Sequence, residues 1–360
     1  MTPDGSTVGI IDAYTSLIWT KRYHECGDFE LYLPVSHLDI LKIGNFVYRL
    51  DDDATMLIEK IEIKTDIENG NFLTVTGRSA ECLLARRIVW GQVTYSGTVE
   101  TLMHLLVQDN VITPSDTARA IPNIVAGVNH GITESLRKQI SYENLLDAIS
   151  ELCQTYNLGF RFLRNENNQF ALDIYQGTEI PEVTFSTEFD NLVNSFYQYD
   201  TTNYANTVLV AGEGEGINRT TQAVGTSVGL SRYELFVDAR NLSSTTSEPI
   251  TADEYAEILA EKGEEELGKK LVNEAFEGEI ETSGTYEYKV DWNLGDVVNL
   301  ENEYGISAVP RIVGVIEKDD VSGRAITAIF STAIPVGALR DSNGNLLYSS
   351  DGYLLMEGTQ

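Results

Sequence analysis

The sequence has few cysteines and few histidines, and both shortages restrict its chemistry. Its three cysteines, Cys26, Cys82 and Cys153, are odd in number and far apart, so they imply no disulfide framework and fit folding in a reducing cytoplasm. Hydrolases of the Ser-His-Asp and Cys-His types need a histidine base. Only four histidines are present, none in a nucleophile-elbow context: His24, His37, His104 and His130. We therefore find no catalytic residue of either type, and these residues give no reason to expect an enzyme or a cofactor.

Basic residues and long apolar runs are also scarce. With 25 basic against 55 acidic residues the formal net charge is -30, whereas tight binding to nucleic acid requires Lys and Arg clustered on the phosphates. We therefore expect no specific nucleic-acid binding. No apolar run approaches the ~18 residues that a bilayer crossing needs, and Met1–Gly5 does not start a signal peptide. The sequence predicts neither a membrane-spanning segment nor secretion through a signal peptide.

The whole chain has 360 residues and is long enough for about two to four domains. Short strands dominate its first part. Between Val8 and Arg87 apolar and polar residues alternate, as they do from Phe29 to Leu33, and this period of two predicts half-buried strands. Asn69-Gly70 separates residues 61–64 from residues 72–75. Because both turn residues tolerate positive φ, this dipeptide predicts a hairpin.

Helical periodicity appears in the middle of the chain. It predicts a short helix from Val99 to Gln108 and a longer one that starts near Ser141 and ends before Gly159. Two strands joined by a polar turn should follow, at residues 159–163 and 169–175. A capping box, Thr251-Ala252-Asp253-Glu254, predicts the start of a third helix that continues to about residue 272.

Two segments of the sequence echo each other. Residues 43–47 read Ile-Gly-Asn-Phe-Val and residues 294–298 read Leu-Gly-Asp-Val-Val, and each is followed by a strand, a turn and a strand. We interpret the echo as duplication of one β-barrel domain, although two all-β domains of similar topology would produce the same pattern. A second echo, of residues 342–348 by residues 350–356, predicts two short strands in a C-terminal tail. Such a tail should pack on a partner chain or be flexible.

At these residues the sequence resembles siphovirus tail proteins of the hub, or tail-associated, class, which are related to the baseplate hubs of contractile tails. The most distinctive match is Ser16–Tyr23 followed by Gly27–Leu31. Further matches occur in the same order over much of the chain, at Ser141–Leu146, Phe185, Phe189–Leu192, Asn206–Gly214, Arg232–Glu234, Val237-Asp238 and Leu294–Val298.

The resemblance implies a homotrimer in which each chain supplies two barrels like those of tail-tube subunits. Three chains would then present a pseudo-sixfold ring to a hexameric tube. It implies as partners the tail tube, distal tail proteins and the tape measure protein, with receptor-binding or tip-fibre proteins as further candidates. It implies a location at the distal end of the virion tail after synthesis in the host cytoplasm. The acidic residues would line a channel that repels passing DNA.

We therefore predict a mostly β fold with α+β insertions, made of two tail-tube-like β-barrel domains and smaller α+β domains, as in a baseplate hub. The predicted division is a first tube-type barrel at 1–95, an α+β insertion domain at 96–180, a second barrel at 181–240 and 280–335, a helical insertion at 241–279 and a short-strand tail at 336–360. The predicted function is to close the tail tube and link it to tip proteins.

Several motifs invite a chemical interpretation that we weigh against a structural one. His24-Glu25-Cys26 could contribute to a zinc site, but no second Cys/His pair lies at ligand spacing. Asp51-Asp52-Asp53 could begin a calcium site, yet the Gly and Glu of an EF-hand loop are missing. Gly212–Gly216 looks like a phosphate loop without its Lys. We favour a loop between strands for the first segment, a solvated turn for the second and a flexible turn for the third, and we expect no metal.

Carbohydrate chemistry is the alternative function. Any two of the 55 acids could form a hydrolytic pair, because the separation that matters is spatial. Trp19, Trp90 and Trp292 could stack on sugars, although such residues are more often in a core or an interface. The alternative is thus a tail-associated cell-wall hydrolase or a carbohydrate-binding module that acts on the host envelope.

Overall fold

The computed structural model describes residues 1–66, 70–245, 250–270, 273–280, 285–302, 304 and 307–331. Its first part contains strands β1 to β5 at Ser16–Arg22, Asp28–Pro34, Phe46–Tyr48, Thr55–Asp66 and Gly70–Ser79. The next part contains β6 Gln92–Thr98, α1 Val99–Val107, β7 Ile124–Val125, β8 Ser135–Ser141, α2 Leu145–Tyr156, β9 Gly159–Arg164 and β10 Phe170–Tyr175. Within the described part of the chain, no helix is long and apolar enough to cross a membrane.

The second half continues with further strands and one long helix. These are β11 Glu179–Ser186, β12 Leu192–Asp200, β13 Thr207–Ala211, β14 Thr221–Val224, β15 Glu234–Asp238, α3 Ala252–Gly268, β16 Asn273–Ile280, β17 Val297–Glu301, β18 Ser307–Ala308, β19 Arg311–Asp320 and β20 Gly323–Ser331. The predicted C-terminal strands at 342–356 lie outside the described residues.

Most of the local predictions are confirmed. Phe29, Leu31 and Leu33 are buried on one face of β2. Strands β4 and β5 form the predicted hairpin, with Ile61 opposite Val75, although Asn69 of the predicted turn is not among the described residues. The capping box at the start of α3 is present, because the Thr251 side chain and the Glu254 side chain each accept from the other's backbone N–H.

The boundaries of α2 differ from the prediction. Ser141 ends β8, and the helix begins only at Leu145, where the Asn144 side chain accepts hydrogen bonds from two backbone N–H groups of the first turn. Asn157, with φ 57°, ends the helix in the left-handed conformation. The predicted stop, Gly159, is the first residue of β9. The periodic apolar residues of the helix are nevertheless buried, as predicted.

The β-strands of both halves join in one large sheet. Its strand order is β12-β16-β20-β19-β1-β2-β5-β4-β3, with β11, β17 and β18 attached as a branch. Smaller sheets are formed by β7, β9 and β10, by β13 to β15, and by β6 with β8. The fold is therefore mostly β with α+β insertions, as predicted. No closed barrel is formed by the strands of the described ranges, so the two barrels are not confirmed.

One pairing scheme occurs twice within the large sheet. In the first β unit, which we define as β1 to β5, the order is β1-β2-β5-β4-β3; in the second, defined as β12, β16, β17, β19 and β20, the order is β12-β16-β20-β19-β17. Each strand of one unit has a counterpart that takes the same place in the order of the other unit. The sequence echo therefore reflects a structural repeat.

The repeat extends to single hydrogen bonds around a glycine with positive φ. The Gly44 N–H donates to the carbonyl of Ile58 over 2.9 Å, and the Gly295 N–H donates to the carbonyl of Ile312 over 2.8 Å. The isoleucine N–H groups donate back to Asn45 and Asp296, both over 2.8 Å. In each unit the strand register shifts directly after the isoleucine. The echo thus marks a bulged corner that both units share.

Four apolar cores lie beneath these elements. The first β unit and the second β unit each have their own core, which contain Trp19 and Trp292 respectively. A third core lies between α1, α2 and their strands. In the fourth, Val208 and Val210 of β13 pack with α3, although the predicted division assigns residues 181–240 to the second barrel. The domain boundaries themselves stay a prediction.

Candidate assembly site

The junction between the two β units is formed by β1 and β19. They pair antiparallel over seven residues, from Ser16 opposite Asp320 to Arg22 opposite Gly314. The corner strand β17 pairs with β19 only at its beginning, through Val297 and Arg311. The remaining edge of β19 is thus covered by a strand from the other unit, which makes the sheet continuous across the repeat.

A buried ion network reinforces this junction. Lys21 of β1 places its Nζ 2.5 Å from Asp52 Oδ2 and 3.5 Å from Glu317 Oε1 of β19. Lys289 contacts the same Asp52 oxygen over 2.7 Å. Arg49 lies 3.0 Å from Glu317, to which Arg324 also donates. Because Asp52 and Glu317 are almost fully buried, each needs these cations to remain charged.

The pKa values follow from this balance of burial and charge. Burial alone would raise the pKa of Asp52, but the ammonium groups of Lys21 and Lys289 outweigh it and lower that pKa to about 2. Burial likewise opposes the charge on Glu317, yet Lys21, Arg324 and Arg49 lower its pKa. Both carboxylates are therefore ionised at neutral pH, and the cations that hold them come from both β units.

The two ends of the large sheet have edges that no other described strand covers fully. Within the described residues, β4 pairs with β5 on one side and, through Thr55–Leu57 alone, with β3 on the other. Among the described strands, β12 is paired with β16. Large apolar side chains are exposed near these edges, with Ile63 55% and Phe196 53% accessible. Unpaired strand edges bind other strands readily, so these two edges are candidate contacts for another chain.

A second ion network connects the helices α2 and α3. The carboxylates of Glu151, Glu265 and Glu266 lie close enough together to hold a metal ion. Lysines already occupy the cluster, however: Lys262 is 2.5 Å from Glu265 and 2.8 Å from Glu266, and Lys269 pairs with Glu151. The three acids thus serve as the acidic half of a salt-bridge network, which the sequence had given no reason to single out.

Burial and the nearby Glu265 raise the pKa of Glu151 to about 7. The pKa of Glu265 is lowered, because the Lys138 ammonium and the other partners outweigh its burial. One proton is therefore held in this network up to nearly neutral pH. The network joins β8 and α2 to α3.

The four histidines do not form one site: His104 and His130 are neighbours around Glu100, and His24 and His37 lie elsewhere. His24 Nδ1 is 2.9 Å from the carbonyl oxygen of Leu158, and burial lowers the pKa of His24 to about 4. His130 Nε2 is 2.8 Å from Asp173. His104 is 4.0 Å from the buried Glu100. His37 lies beside the Ser36 hydroxyl, its sequence neighbour. None of these histidines is hydrogen-bonded to both a nucleophile and an orienting carboxylate, as a catalytic triad requires.

The predicted His24-Glu25-Cys26 segment is a poor zinc ligand set. Zinc binds the thiolate form of cysteine, whereas burial raises the pKa of the Cys26 thiol far above neutrality. The Asp51-Asp52-Asp53 carboxylates do not converge on one point either. They contact Arg49, Lys21 and Arg161 respectively. The interpretation of this segment as a solvated turn is wrong for Asp52, which is buried at the junction.

The glycine-rich segment 212–216 is anchored. Glu213 accepts hydrogen bonds from the Ser243 hydroxyl over 2.6 Å and from the Ser244 hydroxyl over 2.7 Å, and the Tyr255 hydroxyl accepts from its backbone N–H. The segment forms a turn whose Glu213 carboxylate is held by a neighbouring loop, and its flexibility stays a prediction. A carboxylate in this position would repel a bound phosphate.

The three tryptophans divide into two groups. Trp19 and Trp292 are buried in the cores of the two β units. Trp90 is 63% exposed and stacks with Arg119, whose guanidinium carbon is 4.5 Å from the ring centroid. Of the three, Trp90 alone has a face that a sugar could reach.

The fold is similar to that of solved tail proteins. A tail protein from Neisseria meningitidis MC58 superposes with a TM-score of 0.56 at 13% identity, over 88% of this chain and 92% of that one. The 43 kDa tail protein of prophage MuSo2 from Shewanella oneidensis gives a TM-score of 0.51 at 12% identity, over 88% and 94%. No curated protein matches the sequence. The fold is thus of the tail-protein class.

The family follows from the sequence itself. Residues 1–330 match the model of the siphovirus ReqiPepy6 Gp37-like proteins, and the chain belongs to this family. The predicted resemblance to siphovirus tail proteins is confirmed. Family and fold together indicate a structural protein of the bacteriophage tail.

Proposed function

We propose that this protein is the hub of a siphovirus tail tip, which closes the distal end of the tail tube as a homotrimer. The observation that carries the proposal is the repeat of one strand-pairing scheme within a single chain. A trimer of such chains presents six similar units, so a threefold assembly can meet a sixfold tube without six separate subunits. The tube-type barrels of the sequence prediction would be completed in this assembly.

The charge of the chain supports a role in DNA passage. The formal net charge of -30 makes a ring of these chains strongly acidic, and an acidic channel repels the DNA phosphates and prevents adhesion. The partners would be the tail tube, distal tail proteins and the tape measure protein, with receptor-binding or tip-fibre proteins below. The role is architectural, and no reaction is assigned to the chain.

Electron cryomicroscopy of the virion tests this function. We expect density for three copies of the chain at the end of the tail tube opposite the capsid, with acidic residues around the channel. Density elsewhere in the virion, or a number of copies other than three, would contradict the hub. A channel lined by neutral or basic residues would contradict the role in DNA passage but not the hub.

The alternative function is binding of cell-wall carbohydrate, and one observation favours it. The exposed ring of Trp90 beside Arg119 could stack on a sugar. Purified protein should then sediment with host cell walls. The Trp90→Ala variant, in which the buried Trp19 is unchanged, should no longer sediment with them. Release of sugar fragments would support a hydrolase. If the protein neither sediments with cell walls nor releases sugar fragments, the carbohydrate alternative is contradicted and the structural function remains.

A further inference from the structure

The internal repeat predicts where one copy of the chain meets the next. In the second β unit, the edge of β19 beyond its corner is covered by β1. The counterpart of β19 in the first unit is β4, and the same edge of β4 beyond Leu57 has no partner strand among the described residues. The counterpart of β1 is β12, and β12 forms the other end of the sheet. The chain therefore contains one half of the same junction at each end.

We propose that β4 of one copy pairs antiparallel with β12 of the next copy, as β19 pairs with β1 inside the chain. The proposal rests on the homotrimer of the proposed function and specifies its interface. The partner is a second copy of this chain. The edge of β19 is covered by β1 inside the chain, and β12, the counterpart of β1, is the strand that a second copy can offer to β4. The contact joins unlike surfaces, head to tail, so that it can close a ring.

The register of the new contact follows from the known one. Ile58 corresponds to Ile312 at the bulged corner, so Lys64 corresponds to Lys318. The register across β4, β5, β2 and β1 leads from Lys60 to Ile18. The register across β19, β20, β16 and β12 leads from the corresponding Gly314 to Phe196, so Phe196 of β12 corresponds to Ile18 of β1. Since Ile18 is opposite Lys318 inside the chain, Phe196 should lie opposite Lys64 of the next copy. An apolar side chain opposite a lysine thus occurs in both junctions.

The charges at the end of the contact also fit. Arg22 is opposite Gly314 inside the chain, and the corresponding residues between copies are Asp200 and Lys60. Opposite charges directly across a pair of strands stabilise the pairing, whereas like charges weaken it. A shift of the register by one residue would separate this pair and turn the strand faces over. The pattern therefore favours this register over its neighbours.

The exposed apolar residues give the two edges a reason to associate. Ile63 of β4 and Phe196 of β12 are each more than half accessible. Pairing between copies would cover the backbone groups of both edges. In the proposed register Ile63 and Phe196 lie on opposite faces of the sheet, so each face gains one contact between a large apolar side chain and the neighbouring strand. No other large change in the fold is required, because the internal junction already shows the geometry.

Disulfide cross-linking of the full chain tests the register. Under mild oxidation the double variant Lys64→Cys, Phe196→Cys should form covalent dimers and trimers. These should survive boiling in detergent and disappear when a thiol reductant is added. The matched control Glu62→Cys, Phe196→Cys places the cysteine two residues away on the same strand face, beyond the usual Cα separation of ~4.4 to 6.8 Å. We expect at least a tenfold lower yield from it. The native chain, with its own three cysteines, sets the background.

Single-cysteine variants test the head-to-tail geometry. Neither Lys64→Cys nor Phe196→Cys should cross-link alone, whereas an equal mixture that is dissociated and reassembled should give covalent dimers only. Cross-linking of either variant with itself, or equal yields from the in-register and control pairs, would overturn the proposed pairing. A trimer in solution that gives no in-register cross-link would also overturn it, but would leave the trimeric hub standing. Absence from the tail tip would instead refute the hub.

Discussion

The two β units have the same strand order but differ in what covers their edges. In the second unit the β19 edge is buried under β1 and fixed by the ion network of Lys21, Asp52 and Glu317. In the first unit the corresponding edge of β4, beyond Leu57, has no partner strand within the described part of the chain. The β19 edge is therefore part of the folded chain, and we propose that its counterpart on β4 serves assembly. The comparison teaches that, in a chain with an internal repeat, the pairing of β1 with β19 inside the chain can serve as a template for the pairing proposed between copies.

The largest expected effect comes from a charge placed at equivalent positions of the two edges. Val315 of β19 is fully buried, and Val315→Asp should lower the free energy of unfolding by more than about 4 kcal/mol, because an unpaired charge enters the core. Its counterpart Ile61 is half-buried, so Ile61→Asp should cost only about 1–2 kcal/mol but abolish oligomers. Chemical denaturation and light scattering measure the two effects. Equal losses of stability would contradict the comparison.

The ion network at the junction gives the next largest effect. Asp52→Ala leaves the ammonium groups of Lys21 and Lys289 without their shared partner, and should lower the free energy of unfolding by about 3 kcal/mol. The control Asp51→Ala removes an exposed carboxylate paired with Arg49 and should cost less than about 1 kcal/mol. Urea denaturation at pH 7 measures both.

The same network predicts a loss of stability in acid. Because the folded pKa of Asp52 is lowered from 3.8 to about 2, its contribution is complete above pH 4 and disappears as the pH falls through 2. The contribution should be about 2 kcal/mol. Asp52→Ala should therefore show a flatter pH dependence than the native chain below pH 4, and parallel curves would contradict this assignment.

The two corner glycines sharpen the comparison at a smaller scale. Both have positive φ, so an added side chain strains the backbone by about 1 kcal/mol in either unit. At Gly44 a β-carbon would meet open space, whereas at Gly295 it would strike the buried ring of Tyr23. Gly295→Ala should therefore cost about 2 kcal/mol more than Gly44→Ala. Thermal denaturation of the two variants distinguishes strain alone from strain with a clash.

The smallest effect concerns the contact between α2 and α3. The pKa of Glu151 is raised from 4.5 to about 7, so the stability that its protonated form confers is complete below pH 4.5 and is lost as the pH rises through 7. Partial exposure reduces the effect to about 1 kcal/mol. Glu151→Gln, which stays neutral, should reduce the fall in stability between pH 5 and pH 8. An unchanged slope would contradict the raised pKa.

Local patterns predicted much of the fold. The alternation of β2, the hairpin of β4 and β5 and the capping box of α3 depend on residues close in sequence, and all three are confirmed. The echo around Gly44 and Gly295 pointed to the repeat because a positive φ at a bulged corner restricts the residue to glycine in both units. Physical requirements that act locally can be read from the sequence.

What the sequence could not show depends on contacts between distant residues. Asp52 looked like part of a solvated turn, since its partners Lys21 and Lys289 approach it only through the tertiary fold. Glu151 and Glu265 are 114 positions apart in a chain with 55 acids, so nothing local distinguished their pairing. The pairing of β1 with β19, which joins the two units, likewise spans almost the whole chain. Long-range strand pairing is not specified by any short motif.

The solution mass of the purified chain, measured by native mass spectrometry over a range of concentrations, tests the central claim most directly. We predict a species of three times 39.9 kDa, because three chains with two β units each close a ring of six. A strict monomer at every concentration, or a stable dimer that excludes the trimer, would contradict the account of one repeat that serves both folding and assembly.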